Sequence, residues 1–457
     1  MAVNKPILET IEYRLALVQP DSCRVLALDA IAGYCLPSVR VPKWTRQVTQ
    51  LQKAINASWG LHVLVLDFLD AQNNSPCLVV AEVLIPDAIS ELRPVTLEKI
   101  PSSELSEQQR AQLVALLAGA TNTAVSQIGW IDQAIKWLEL ETKRRLSSKS
   151  EIEQHNAGGA FSLIRFHMED ETDYWLKATG EPNVHELSIT KILSELGGAN
   201  LPQLISVRPA WNAWLMSGDA IQVGEVPKEP YKLFRFLEGA VESMADLQIK
   251  TQGHSLDLLG AGVFDQGFAV LEKHSEALFD YLEAAMSRQT STRVPRLERS
   301  RLQEIRKIFD EVCCRAEDLN LPKTIVHGDL NWGNILIGGG RCQFIDWCEA
   351  YLGNPLISLQ HLLLLNKMES LELTAFSNRL LKDRYRTIWL GSCSVNSLDR
   401  GFAYMPLLAV ASTLFGRGDW LASPRRRVPD RHAYARGLAR HMDRISREPE
   451  LLEALCR

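Results

Sequence analysis

The chain has 457 residues, 46% hydrophobic and 23% charged, with a formal net charge of −5. That is the make-up of an ordinary globular protein with room for about two to four domains, and its mildly acidic balance excludes the basic footprint of a nucleic-acid or anionic-membrane binder. The nine cysteines are scattered without a CxxC pair, which argues against a zinc site and a disulfide framework and points to a reduced, cytoplasmic protein.

The opening segment is interrupted by Lys5, Glu9, Glu12 and Arg14, so it lacks a secretory apolar core. Residues 24–28 read as a strand, and residues 44–57 as a helix with Val48, Leu51, Ala54 and Ile55 on one face, ended by Gly60. Two more strands follow at 62–66 and 77–81, around the turn-rich Asn73, Asn74, Ser75 and Pro76. The order is similar to the front half of a Nudix domain, but the paired glutamates of a Nudix box are absent. The resemblance therefore implies no hydrolase chemistry, and residues 1–100 are expected to form an accessory α/β domain.

Residues 101–150 read as a helical linker, with helices at 106–117 and 128–145 and Ser106 as N-cap. The basic run 143–145 suits a solvated helix end. A second sheet-rich segment spans 151–222. Strands at 160–166 and 174–178 are joined by the acidic turn 169–171, and a helix over 184–196 stops at Gly197 and Gly198. Further strands fall at 204–207 and 213–216, before the polar junction Ser217, Gly218, Asp219. Residues 223–457 are mainly helical. The apolar run 405–415 is too short to span a bilayer and fits a buried helix, while the basic run 425–427 beside Ser423 and Pro424 fits an exposed loop.

One stretch breaks that helical part. Residues 324–353 read TIVHGDLNWGNILIGGGRCQFIDWCEAYLG: two apolar strands joined by glycines 338–340, with Asp329, Asn334 and Asp346 on their ends. This spacing suits metal-assisted phosphoryl transfer, where a protein chiefly positions groups and supplies cations. A carboxylate at Asp329 can orient a hydroxyl and accept its proton. Asn334 and Asp346 offer the oxygen ligands that magnesium prefers, and the Asp-to-Asn spacing recurs in the protein-kinase catalytic loop.

HGDLNWGNIL, FIDW and the following Gly353-Asn354-Pro355 resemble the aminoglycoside phosphotransferase and choline kinase family over about residues 150–400. The resemblance implies an α+β, bilobal protein-kinase-like fold, with a β-rich N-lobe and a helical C-lobe behind the accessory domain. It implies an ATP- and magnesium-dependent phosphotransferase with Asp329 as base, Asn334 and Asp346 as metal ligands, and His327 supporting the loop. Lys177 would face the nucleotide phosphates and pair with Glu186. Gly158 and Gly159 stand where a phosphate-covering loop belongs, although GxGxxG spacing is missing. Met216 and Gly218 fall in the stretch resembling the adenine-receiving hinge. The partner implied is a small-molecule phosphoacceptor of the amino sugar, amino alcohol or sugar class.

Two features leave alternatives open. The family commonly places aspartates where Asn354 and Ser358 stand, which weakens any inference to a polycationic acceptor, although either residue can cap the next helix. A nucleotide-binding pseudokinase is the competing reading, opposed by the presence of Lys177, Asp329, Asn334 and Asp346 together. Trp389 and Trp420 could line an acceptor pocket, but isolated aromatics more often belong to a core.

Overall fold

A computed structural model describes residues 9–456 except 21–23, 32, 44–45, 70–76, 86–90, 122, 160, 223–226 and 416–431. The chain divides into two compact units, Met1–Leu187 with Leu204–Asp219, and Ser188–Gln203 with Ala220–Arg457. The first is β-rich and the second mainly helical, so the α+β expectation holds.

The first unit opens with β1 (Thr10–Gln19), β2 (Arg24–Ala30), β3 (Gly33–Cys35) and β4 (Ser38–Pro42). Helix α1 (Gln47–Trp59) follows, then β5 (Val63–Leu69), β6 (Cys77–Val83) and β7 (Arg93–Val95). Seven strands form one sheet in the order β3-β2-β1-β6-β5, with β4 pairing β1 and β7 pairing β2. Its central strand β1 runs antiparallel to β2 and β4 but parallel to β6. Sequence reasoning found β2, β5, β6 and α1 and missed β1. Gly60 closes α1 as expected, at φ 69° with its N–H donating to the Asn56 carbonyl.

Helices α2 (Glu107–Leu117) and α3 (Trp130–Thr142) come next. Ser106 caps α2 in a full capping box with Gln109. The second sheet contains β8 (Glu153–Asn156), β9 (Phe161–His167), β10 (Asp173–Thr179), β11 (Leu204–Arg208) and β12 (Ala213–Ser217), in the order β11-β12-β10-β9-β8. Helix α4 (Glu186–Gly197) starts after β10. One apolar core joins Val18, Leu66 and Val80 of the first sheet to Trp130 and Leu138 of α3 and to Ile164, Phe166 and Leu215 of the second. One face of the first sheet, α3 and the second sheet therefore bury apolar side chains together.

In the second unit β13 (Ile221–Gln222) precedes α5 (Pro230–Lys250), α6 (Ser255–Gly260), β14 (Phe264–Asp265), α7 (Phe268–Lys273), α8 (Ser275–Ser287) and α9 (Arg299–Glu317). Then come β15 (Thr324–Val326), β16 (Ile335–Gly338), β17 (Arg341–Phe344) and β18 (Tyr351–Gly353). The expected hairpin is β16–β17, with Ile335 opposite Phe344. The chain ends in α10 (Leu356–Leu365), α11 (Leu371–Trp389), α12 (Val395–Phe415), α13 (His432–Ile445) and α14 (Pro449–Cys456). A continuous helix expected over 359–373 is instead broken before α11, because Ser370 caps a new start by accepting the Leu373 amide at 3.1 Å.

The run 405–415 lies in α12 and is almost wholly buried. Among the described residues no helix is long and apolar enough to cross a membrane, and every cysteine is a free thiol. Trp389 is fully buried against Tyr385, ring centroids 5.8 Å apart, so it belongs to the core. Trp420 and the basic run 425–427 lie outside the described residues, as do Asn73 to Pro76.

Candidate active site

Each unit carries one cluster of the expected residues. In the first unit, Lys177 stands on β10 and Glu186 opens α4. A lysine on a solvated strand would be exposed, but Lys177 is only 5% exposed and Glu186 only 1%. Their side chains meet at 2.5 Å, Lys177 Nζ donating to Glu186 Oε1. Burying either charge alone would be costly, so each requires the other. The ammonium also lies 4.7 Å from the centre of the Phe161 ring and 5.7 Å from that of Trp214, a cation–π setting.

Phe161 follows the glycine pair, and its amide donates to the Gly158 carbonyl at 3.3 Å, closing a turn. Gly158 has φ 107°, a conformation other residues avoid. Gly180 must be glycine beside it, because a Cβ placed there would lie 2.0 Å from the Gly159 carbonyl oxygen. The pair is thus a tightly packed turn between β8 and β9. Met216 is buried on β12, its backbone opposite Trp175 and Leu204. Gly218 donates its N–H to the Asp173 carbonyl at 2.9 Å, and a Cβ there would lie 2.6 Å from that oxygen. The Gly218 amide is therefore already engaged within the protein.

In the second unit the two arms of the polar stretch are fastened to each other. His327 is fully buried. Its Nε2 donates to the Ile345 carbonyl at 2.9 Å and its ring lies 4.5 Å from that of Trp347, the supporting role the sequence suggested. Gly328, at φ 81°, passes so close to the Glu349 carbonyl that a Cβ would fall 2.1 Å from it. Ile345 N–H donates to the Asn334 carbonyl at 3.1 Å. Asp329, Asn334 and Asp346 are thereby held in one small region.

Asp329 is exposed and its carboxylate is gripped from both sides. Asn331 Nδ2 donates to Oδ1 at 3.1 Å, and Asn334 Nδ2 donates to Oδ2 at 3.3 Å and to the Asp329 carbonyl at 2.8 Å. Asn331 also accepts the Gly333 amide at 2.8 Å, capping the short turn that delivers Asn334. Sequence reasoning overlooked Asn331. The D-x-N spacing was the available signal, because an asparagine two residues from an aspartate readily bonds back to it.

Asp346 adopts the left-handed conformation at φ 67°. Non-glycine residues in that region cost free energy and cluster at functional sites, aspartate tolerating it better than most. The Cys348 thiol donates to Asp346 Oδ1 at 3.3 Å. The donor set fits magnesium. Asp346 supplies a carboxylate, and Asn334 spends its amide hydrogens on Asp329, which leaves its oxygen as a ligand atom.

Two neighbours extend this cluster. His361 on α10 is pushed down to about 4 by burial and then by the nearby His327, with Asp329 opposing. Tyr434 on α13 is raised above the usual phenol range by burial, then by the carboxylates of Asp329 and Glu349. Asn354, 4% exposed, accepts the Leu356 amide at 2.9 Å and so caps α10, whereas Ser358 is buried inside that helix.

Several solved structures are similar to the chain. A choline/ethanolamine kinase family protein from Mesorhizobium loti shares 18% identity over 71% of this chain and 98% of its own, with a TM-score of 0.45. An ethanolamine kinase from Plasmodium vivax shares 15% over 77% and 97%, with a TM-score of 0.47. A macrolide 2'-phosphotransferase from Brachybacterium faecium shares 14% over 66% and 96%, at 0.41. No curated protein sequence matches. The family model described as phosphotransferase enzyme family matches residues 181–382. The HGDLNWGNIL hairpin lies inside the matched residues.

Proposed function

We propose that the protein is an ATP- and magnesium-dependent phosphotransferase that moves the γ-phosphoryl group of ATP to a hydroxyl of a small molecule, of the amino sugar, amino alcohol or sugar class. The observation that carries this reading is the grip on Asp329 by Asn331 and Asn334, beside an Asp346 held in a left-handed backbone. Two amides fix both carboxylate oxygens in place while leaving the group exposed to an incoming hydroxyl. Asp329 is then a base that aligns the hydroxyl and takes its proton as the phosphoryl group transfers, which is the positioning such chemistry needs.

Magnesium, held by Asp346 and Asn334, supplies positive charge to the phosphate oxygens when bound. The buried Lys177–Glu186 pair supports a nucleotide role. Glu186 fixes the direction of the lysine, whose positive charge suits phosphate oxygens. Phe161 ties the glycine turn to that same ammonium. Met216 and Gly218 belong to the strand end and junction proposed to face adenine.

Magnesium-ATP should raise the melting temperature, because a ligand bound only by the native state stabilises it. Asp346→Ala should abolish the magnesium-dependent part of that rise. Asp329→Ala should retain binding and lose about a hundredfold or more of turnover in an ATP-consumption screen of amino sugars, amino alcohols and sugars. Absence of a shift with every nucleotide tested would overturn the reading.

A further inference from the structure

The glycine turn after β8 carries only two glycines and lacks the spacing of a self-sufficient phosphate loop. Ordering such a turn is costly, since glycine surrenders more backbone freedom than any other residue. Residues from earlier in the same unit meet it on several sides. The Thr123 side chain lies 3.2 Å (Oγ1) and 3.3 Å (Cγ2) from a Cβ built on Gly159, and its Cγ2 lies 3.3 Å from one built on Gly180. Asp67 Oδ1 lies 3.6 Å from the equivalent point on Gly158. Ala157 packs against the core of the first sheet.

Thr123 is itself well seated. A β-branched side chain has little rotamer freedom, and its hydroxyl meets that of Ser126 at 3.2 Å. The strand entering the turn is fastened to the first sheet as well. Gln154 of β8, 1% exposed, accepts the Val65 amide and donates to the Val65 carbonyl, each at 2.8 Å, as a neighbouring strand would. Gln52 Oε1 accepts the Gln154 amide at 3.0 Å, and Thr49 donates to the Gln154 carbonyl at 3.0 Å.

We propose that Thr123 is a positioning residue for the phosphate-covering turn, with Gln154 anchoring the strand from which it springs, so that the N-terminal sheet sets how tightly the nucleotide is held. The inference rests on the phosphotransferase reading above. The order that a GxGxxG loop draws from its own sequence comes here from a preformed seat, and pre-organisation is converted into affinity. The Phe161 ring beside the Lys177 ammonium makes the same turn a support for the lysine.

The test uses the full chain and a fluorescent ATP analogue with magnesium, together with amide exchange over residues 156–162. Thr123→Ala removes the methyl that faces the Cβ positions of Gly159 and Gly180, whereas Thr123→Val keeps it. Thr123→Ala should weaken nucleotide binding about three- to tenfold and speed exchange in the turn, while Thr123→Val stays within about twofold of wild type. If Thr123→Ala does not fold, Thr123→Ser, which also lacks that methyl, takes its place. Unchanged affinity and exchange in the methyl-deleted protein would overturn the proposal while leaving the phosphotransferase reading intact. So would equal weakening by the valine variant. Failure of the wild type to bind any nucleotide would instead overturn that reading, and this inference with it.

Discussion

At the scale of single residues, the candidate site depends on small groups whose neighbours leave them few alternatives. Asn331 and Asn334 divide the Asp329 carboxylate between them, so losing one amide should leave it turning more freely without disturbing the Lys177–Glu186 pair. Hydrogen bonds to charged groups contribute about 1.5–3 kcal/mol. Asn331→Ala should therefore lower kcat about tenfold, with the KM for ATP unchanged, in the steady-state assay. Asp329, Asn334 and Asp346 were legible because their spacing is local and their chemistry specific. Asn331 uses the same local grammar but contacts no expected ligand, so nothing about metal or base chemistry singled it out. Lys177 and Glu186 were legible for a related reason: a strand lysine followed by an acidic residue at a helix start leaves few pairings to choose from.

At the scale of elements, α10 links Asn354 to a histidine near His327 and Asp329. His361 is held neutral down to about 4, against 6.5 for the ordinary side chain, chiefly by burial and next by His327, while Asp329 favours its charged form. Its Nδ1 is sealed from solvent without a partner among the described residues. Between pH 6.5 and about 4 the unfolded chain takes a proton there that the folded chain refuses. This contribution to stability is therefore full above 6.5 and is lost as pH falls toward 4. His361→Gln should flatten that part of the profile, read as the urea midpoint at pH 7 and pH 4.5. Neither this histidine nor the break between α10 and α11 was visible beforehand. Leucines stand on both sides of the break, and Ser370 caps the new start.

At the scale of the whole molecule, one face of the first sheet, α3 and the second sheet bury one core together. A chain beginning at residue 151 should lose the partners of Ile164, Phe166 and Leu215 and bind a hydrophobic dye that the full chain does not bind. A well-packed product would show that the second sheet folds without the first. Four strands of the second sheet, though not β8, and the helical character of the second unit were readable from alternation and helical spacing. The first sheet was only partly so. Its centre is β1, whose parallel partner β6 lies far along the chain, and such pairing leaves no local trace beyond an apolar run. The shared core escaped for the same reason, since polar stretches near 147–150 look like a boundary whichever way the flanking residues pack.

The bonds of Gln154 also bear on synthesis. Its partners Thr49, Gln52 and Val65, and the seat at Thr123, all leave the ribosome before the turn at 158–159. Domains tend to form from the N-terminus as the chain grows. The surface on which the turn settles is then already in place when its glycines emerge, and a segment with little structural preference of its own is guided by what was made before it.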